Sequence, residues 1–187
     1  MAQYVSGLAD IPATRSYISA VDGEKGDLAY RGYDIAELAK NSTFEETSLL
    51  LLNGELPSAA ELEDFDRQLR GERRVKYNVR EIMKYLPPSG RPMEMLQTAV
   101  ASLGMFYGGE EILTDAYDEE DNFFIHSMSV KIIARMATIV AMWEHVRNGY
   151  DPIEPRSDLT HAENFLYMMK GCEPDPLEAR IMDACLV

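Results

Sequence analysis

Three histidines, His126, His145 and His161, are the groups in this chain best suited to acid–base chemistry near neutral pH. None has a second histidine four residues on, and no C-x-x-C or H-E-x-x-H surrounds any of them, so no metal site is expected. His126 falls among Phe123, Phe124 and Ile125, early in a long helical stretch. His145 falls near the end of that stretch, where a cation suits the helix dipole. His161 lies in the first turn of a later helix. Each is read as a structural histidine. Carboxylates are plentiful, but Glu110-Glu111 and Asp118-Glu119-Glu120-Asp121 are charge runs of the kind that face solvent. No G-x-S-x-G, P-loop or G-x-G-x-x-G occurs, so neither a nucleophile elbow nor a nucleotide cradle is supported. Cys172 and Cys185 form neither a disulfide framework nor a C-x-x-C pair. Both sit in or beside apolar stretches and are expected to be buried or idle thiols in a reducing compartment. Arg67, Arg70, Arg73, Arg74 and Lys76 make one basic cluster, read as a solvated helix end and loop. Eleven methionines, many on helix faces, indicate adaptable core packing. On residues alone the chain is a helical scaffold without an active site.

The elements that would position these groups are mostly helices. Thr14–Val21 and Asp27–Tyr33 are short β-branched and aromatic runs around the turn formers Asp22 to Gly26, which predicts a hairpin over about 14–33. Helices follow from about residue 34. Capping boxes are read at Thr43/Glu46, Ser58/Glu61, Asn78/Glu81 and Thr160/Glu163. The first opens the apolar run Ser48–Leu52, stopped by Asn53-Gly54. The second places Leu62, Phe65 and Leu69 inward, and the last places Phe165, Leu166, Met168 and Met169 before the stop at Gly171. Pro92–Tyr107 starts with proline and ends at Gly108-Gly109. Its small residues Ala99, Ala101, Ser102 and Gly104 suit a close helix–helix approach. A helix from about Asn122 to Arg147 shows a broad apolar face of Ile132, Ile133, Met136, Ile139, Val140 and Trp143, the mark of a central or interface helix. Pro176–Val187 begins as a helix with Asp175 and Glu178 at its start. Leu177, Ile181, Met182, Ala184 and Cys185 are spaced as a buried face, with no stop signal after them. The expectation is that the sequence continues. Linkers at Pro87 to Gly90, Asp115 to Asp121 and Asp151 to Pro155 are loop-sized, so one all-α domain with a small N-terminal hairpin is predicted.

The 187 residues are 46% hydrophobic and 27% charged, values of a folded globular chain rather than a disordered one. A net charge of −14 from 32 acidic and 18 basic side chains opposes binding to a phosphate backbone. No apolar run approaches the roughly 20 residues of a membrane span, and Met1 to Gly7 lacks the pattern of a signal peptide.

Five separated motifs carry a resemblance. They are Gly7–Ser16 with Tyr30–Ile35, Ser42–Glu46 with Leu50–Pro57, Pro92-Met93 to Leu103-Gly104, Asn164–Met169, and Asp175–Arg180. In this order they closely resemble the N-terminal part of the citrate synthase family, across the whole chain. The resemblance implies the large domain of that all-α fold, without the small catalytic domain. It implies a homodimer built through the long apolar helices, in the cytoplasm. It implies an acyltransferase that condenses acetyl-CoA with oxaloacetate to give citrate and CoA, with no resident cofactor, since acetyl-CoA is a substrate. An Asp would take a proton from the thioester methyl while one His stabilises the enol and another assists attack on the keto acid. The resemblance puts the first of these residues, a His-x-x-His block, one or two residues beyond Val187, and the catalytic Asp further on. None of His126, His145 or His161 matches a catalytic position, so no catalytic, cofactor-binding or metal-binding residue is assigned within 1–187, and the chain alone is expected to be inactive. Arg91 stands before Pro92-Met93 where the family commonly has His. Open alternatives are a 2-methylcitrate synthase using propionyl-CoA, a non-catalytic interaction module, and one subunit of a split synthase.

Overall fold

The computed structural model describes residues 15–107 and 119–187. Gly7 to Thr14, the Gly108-Gly109 stop, Glu110-Glu111 and the start of the acidic linker fall outside the described residues. The predicted hairpin forms as β1 (Ser19–Asp22) and β2 (Asp27–Tyr30), antiparallel, with Asp22 opposite Asp27 and Gly23 to Gly26 as the loop. A short third strand, β3 (Tyr33–Asp34), pairs with β2 and was not anticipated. The turn into it is Arg31-Gly32, both with positive φ (50° and 91°), the backbone a two-residue hairpin turn needs. Arg31 is an unusual residue there. Its Nη2 donates to Leu51 O at 2.8 Å, so a tertiary contact supports a turn that local propensity disfavours.

Helices then follow as expected: α1 (Ile35–Asn41), α2 (Phe44–Asn53), α3 (Ala59–Glu72), α4 (Tyr77–Lys84), α5 (Pro92–Tyr107), α6 (Glu119–Arg147), α7 (His161–Lys170) and α8 (Pro176–Leu186). Reciprocal capping boxes open α3 at Ser58/Glu61 and α7 at Thr160/Glu163, and a third opens α8 at Asp175/Glu178. At α2 only half the predicted box forms. Thr43 accepts from Glu46 N–H, but the Glu46 carboxylate takes the hydroxyl of buried Ser42 instead of reaching back to Thr43. The Asn78 box does not form. α4 starts at Tyr77 behind an uncapped Lys76, and Glu81 pairs with Lys84. Val79 and Met83, both fully buried, set where this helix lies, and core packing outweighs the cap.

α6 is the spine. Its Val130 and Ala134 close one apolar cluster with Leu49 of α2 and with Phe65 and Leu69 of α3. Its Ile139, Met142 and Trp143 close another with Val79 and Met83 of α4 and with Met95, Ala99 and Leu103 of α5. A stretch of α6, Ile125–Arg147, is long and apolar enough by length and composition to cross a membrane, contrary to the sequence reading. Here it packs as a core helix. Buried Arg135 on it pairs with Glu72 and donates to Arg74 O at 3.1 Å. Of the predicted apolar face, Ile139 and Trp143 are buried, whereas Ile132 and Val140 are exposed.

Three further expectations need correction. On α5, Ala99 and Ser102 are buried, but Ala101 and Gly104 are exposed and a Cβ added at Gly104 would meet nothing within 4 Å. Within these residues only Ala99 and Ser102 of the small-residue stripe lie in the packed interior, Ala99 against α4 and α6. On α8 no residue is buried, and Leu177 and Ile181 are 69% and 56% exposed. The predicted face is split: Leu177, Ile181 and Cys185 are exposed, whereas Met182 and Ala184 are half-buried. Cys172 and Cys185 are both free, as expected, but exposed, so the burial half of the buried-or-idle reading does not hold.

Candidate functional site

The histidines take three different roles. His126 is half-buried on α6. His145 lies with Nε2 2.8 Å from Met168 O, joining α6 to α7. His161, the first residue of α7, is 4% exposed, and its ring stacks on Phe44 at 4.4 Å between centroids, 25° from parallel.

The densest group of buried ionisable side chains surrounds His161 where α2, α3 and α7 meet. Glu45, in the first turn of α2, is buried, and its Oε1 accepts from the His161 main-chain N–H at 2.8 Å. Loss of water pushes the Glu45 carboxyl above its ordinary value, against the lowering effect of that hydrogen bond and of its own backbone. Burial, reinforced by the positive charge of Arg73, pulls the His161 ring down to about 4. Arg73 is 1% exposed, and its Nη1 donates to Arg156 O at 2.7 Å and Leu159 O at 2.8 Å. Burial and neighbouring Arg70 lower it to about 10, still charged at neutral pH. Asn164, equally buried, accepts the Arg156 N–H at 2.8 Å. These contacts fasten the loop before α7 onto α3.

The chemistry available here is limited by those commitments. A general base needs its ring nitrogen against an orienting acid or a substrate proton. The one acid bonded to His161 takes its main-chain amide, so the imidazole stays neutral and unactivated. Beside it lies a cleft of about 400 Å³ lined by Thr43, Glu45, Leu62, Asp66, Arg70 and Thr160. A carboxylate ligand in this cleft would need an unpaired cation. Arg70 instead donates to Asp66 Oδ2 at 2.7 Å and to Ser157 O at 3.1 Å, and Arg73 is out of solvent's reach. Among the described residues no group of three or more His, Cys, Asp or Glu side chains could hold a metal ion.

The basic cluster is solvated at Arg67, Arg74 and Lys76, as expected, but not at buried Arg73 or half-buried Arg70. Arg67 pairs with Asp64, Arg70 with Asp66, Arg73 is buried, and the Lys76 ammonium lies 5.4 Å from the Phe106 ring centre. Sequence reasoning missed Glu45, Arg73 and Asn164 as buried polar groups. The available signals were a second acid beside the Thr43/Glu46 cap and an asparagine directly before the apolar run Phe165 to Met169.

Comparisons with known proteins place this scaffold. The family model described as "Citrate synthase, C-terminal domain" matches residues 7–187. The citrate synthase of Acidithiobacillus ferridurans is 57% identical over 184 residues, covering 98% of this chain and 47% of that protein. A 2-methylcitrate synthase of Mycobacterium tuberculosis (strain ATCC 25618 / H37Rv) is 35% identical over 169 residues, covering 90% of this chain and 41% of that one. In three dimensions the chain is similar to the citrate synthase of Pyrobaculum aerophilum, with a TM-score of 0.88 at 40% identity over 95% of this chain and 45% of that structure. The chain spans about half the length of the curated relatives it matches. A helical body of this topology, matched along nearly its whole length in both sequence and space, belongs to the citrate synthase family.

Proposed function

We propose that the whole protein condenses acetyl-CoA with oxaloacetate to give citrate and free CoA, and that residues 1–187 contribute scaffold rather than reacting groups. The observation that carries this reading is the 57% identity to a citrate synthase over 98% of the chain. In this reading residues 1–187 form the N-terminal portion of the large domain, and no resident cofactor takes part. The neutral, enclosed ring of His161, the His145 bond to a main-chain carbonyl and the committed arginines all fit a supporting role. The partner is a second copy, docked along α5 and α6. Met93, Met105, Ile132 and Val140 leave exposed apolar surface on those helices, and Ala101 and Gly104 allow close approach. The exposed, unpaired thiols of Cys172 and Cys185 fit a reducing cytoplasm.

A second reading, condensation of propionyl-CoA to 2-methylcitrate, is favoured only by the lower similarity to 2-methylcitrate synthases. The test follows CoA thiol release with each acyl-CoA and oxaloacetate. The whole protein should turn over acetyl-CoA faster, and chain 1–187 should release none. Faster turnover of propionyl-CoA would favour the second reading. Thiol release by 1–187 alone would overturn the scaffold assignment. Activity absent from the whole protein, with 1–187 binding a full-length synthase, would point to a non-catalytic module.

A further inference from the structure

Arg73 carries its charge into the interior with one edge of the guanidinium unspent. The residue is 1% exposed, and that enclosure is already complete within residues 1–187, so further chain can only add to it. The Nη1 amino group spends its protons on Arg156 O at 2.7 Å and Leu159 O at 2.8 Å. Nε and Nη2 form the side-on edge, the one that offers parallel N–H donors. Both atoms are buried and have no hydrogen-bond partner among the described residues.

Two acceptors at the same junction are in the same position. Asp66, two turns earlier on α3, gives its Oδ2 to Arg70 Nε at 2.7 Å, and Arg70 Nη1 donates to Ser157 O at 3.1 Å. Asp66 Oδ1 is buried without a partner among these residues. His161 lies two residues after Leu159, and its main-chain N–H is held by Glu45. Its Nδ1 is likewise buried and unpartnered. α3 and the segment 156–161 thus bring one idle donor edge and two idle acceptors together. Their charges act on one another accordingly, Asp66 on Arg73 and Arg73 on His161.

We propose that this junction is a binding site for an internal water, which accepts from the side-on edge of Arg73 and donates to Asp66 Oδ1 and His161 Nδ1. This goes beyond the proposed function and does not depend on the substrate. The chemistry of the groups selects the occupant. The arginine edge requires an acceptor and the carboxylate oxygen requires a donor, so the occupant has to be both. An anion would satisfy Arg73 but meet the carboxylates of Asp66 and neighbouring Glu45. A cation would satisfy Asp66 but meet Arg73 and Arg70. A neutral water accepts and donates in equal number, and buried waters ordinarily serve such otherwise unsatisfied groups. A dry edge would leave a charged donor bearing its full desolvation penalty. Donation to Nδ1 also fixes the neutral His161 ring as the Nε2–H tautomer.

A crystal structure of the whole protein, at a resolution that places waters, tests the site. One ordered water should lie within about 3.2 Å of Arg73 Nε or Nη2, of Asp66 Oδ1 and of His161 Nδ1. A dry, direct Arg73–Asp66 ion pair or an anion in that place would overturn the site. A water bonded to Arg73 and Asp66 but not to Nδ1 would overturn the part given to the ring. In solution, nitrogen-15 NMR of the histidine-labelled whole protein should show His161 protonated at Nε2 and unprotonated at Nδ1, its signals assigned by their loss in His161→Phe. The opposite tautomer would also overturn the bond to the ring.

Discussion

Replacing His161 with phenylalanine isolates the cost of charging a buried ring. The imidazole is stacked on Phe44, and its Nδ1 has no hydrogen-bond partner among the described residues. Burial, with Arg73 nearby, lowers its pKa from 6.5 to about 4. The unfolded chain therefore takes up this proton from pH 6.5 downward, while the native chain resists until near pH 4. Stability is full above 6.5 and is lost as pH falls through that window. The whole gap corresponds to about 3 kcal/mol, of which roughly 2 kcal/mol is lost between pH 7 and pH 4.5. Phenylalanine keeps an aromatic ring against Phe44 and leaves the main-chain amide bonded to Glu45, but it cannot bind a proton. Urea unfolding followed by fluorescence of Trp143, the single tryptophan and a buried one, measures both proteins at the two pH values. The parent should lose about 2 kcal/mol more than His161→Phe on acidification. The surface carboxylates of Asp22, Glu61, Glu81 and Asp158, held low mainly by side-chain hydrogen bonds, titrate alike in both proteins and cancel. Equal losses in the two proteins would refute the picture of a ring kept neutral by burial.

Glu45→Gln tests the opposite sign. Burial raises the Glu45 carboxyl above 4.5, so its native form is favoured below that value and the advantage is lost as pH rises through the raised pKa. Glutamine can still accept the His161 amide, so the variant should melt higher than the parent at pH 8, with the gain vanishing toward pH 4. A gain of equal size at both values would contradict this. Leu69→Ala removes a fully buried side chain between α3 and α6 and should cost about 2–4 kcal/mol in chemical denaturation. A cost below about 1 kcal/mol would mean that the site collapses or is already loose. Gly54 closes α2 with φ 93°, and the nearest atom to an added Cβ is 3.8 Å away on Arg31. Gly54→Ala should therefore cost roughly 1–2 kcal/mol from backbone strain alone, read as a lower Tm, with Gly54→Asn milder.

Much of the fold was legible because it is written in short-range chemistry. Ser58/Glu61, Thr160/Glu163 and Asp175/Glu178 start their helices by bonds within four residues, and Gly54 and Gly171 end theirs with positive φ. The hairpin register follows from the turn at Gly23 to Gly26. The order of motifs along the chain already pointed to the family. Less was legible where distant residues compete with local preference. Asn78 lost its cap role because Val79 and Met83 are pulled into the core, and Arg31 took a turn position because Leu51 O lies within reach.

The buried polar groups show the boundary best. Glu45 and Glu46 are adjacent acids of one type, yet one is turned to the amide of His161, 116 residues away, and the other to neighbouring Ser42. Arg73 and Arg74 are equally alike in sequence, but one is enclosed and the other exposed. α8 is spaced as a helix with one apolar face, yet within these residues its long-range hydrogen bonds come from Arg180 and Asp183, which meet the ends of α1 and α2. Periodicity says which residues share a face. It cannot say which neighbour that face will meet, because burial and charge pairing are properties of chain segments brought together from more than a hundred residues apart.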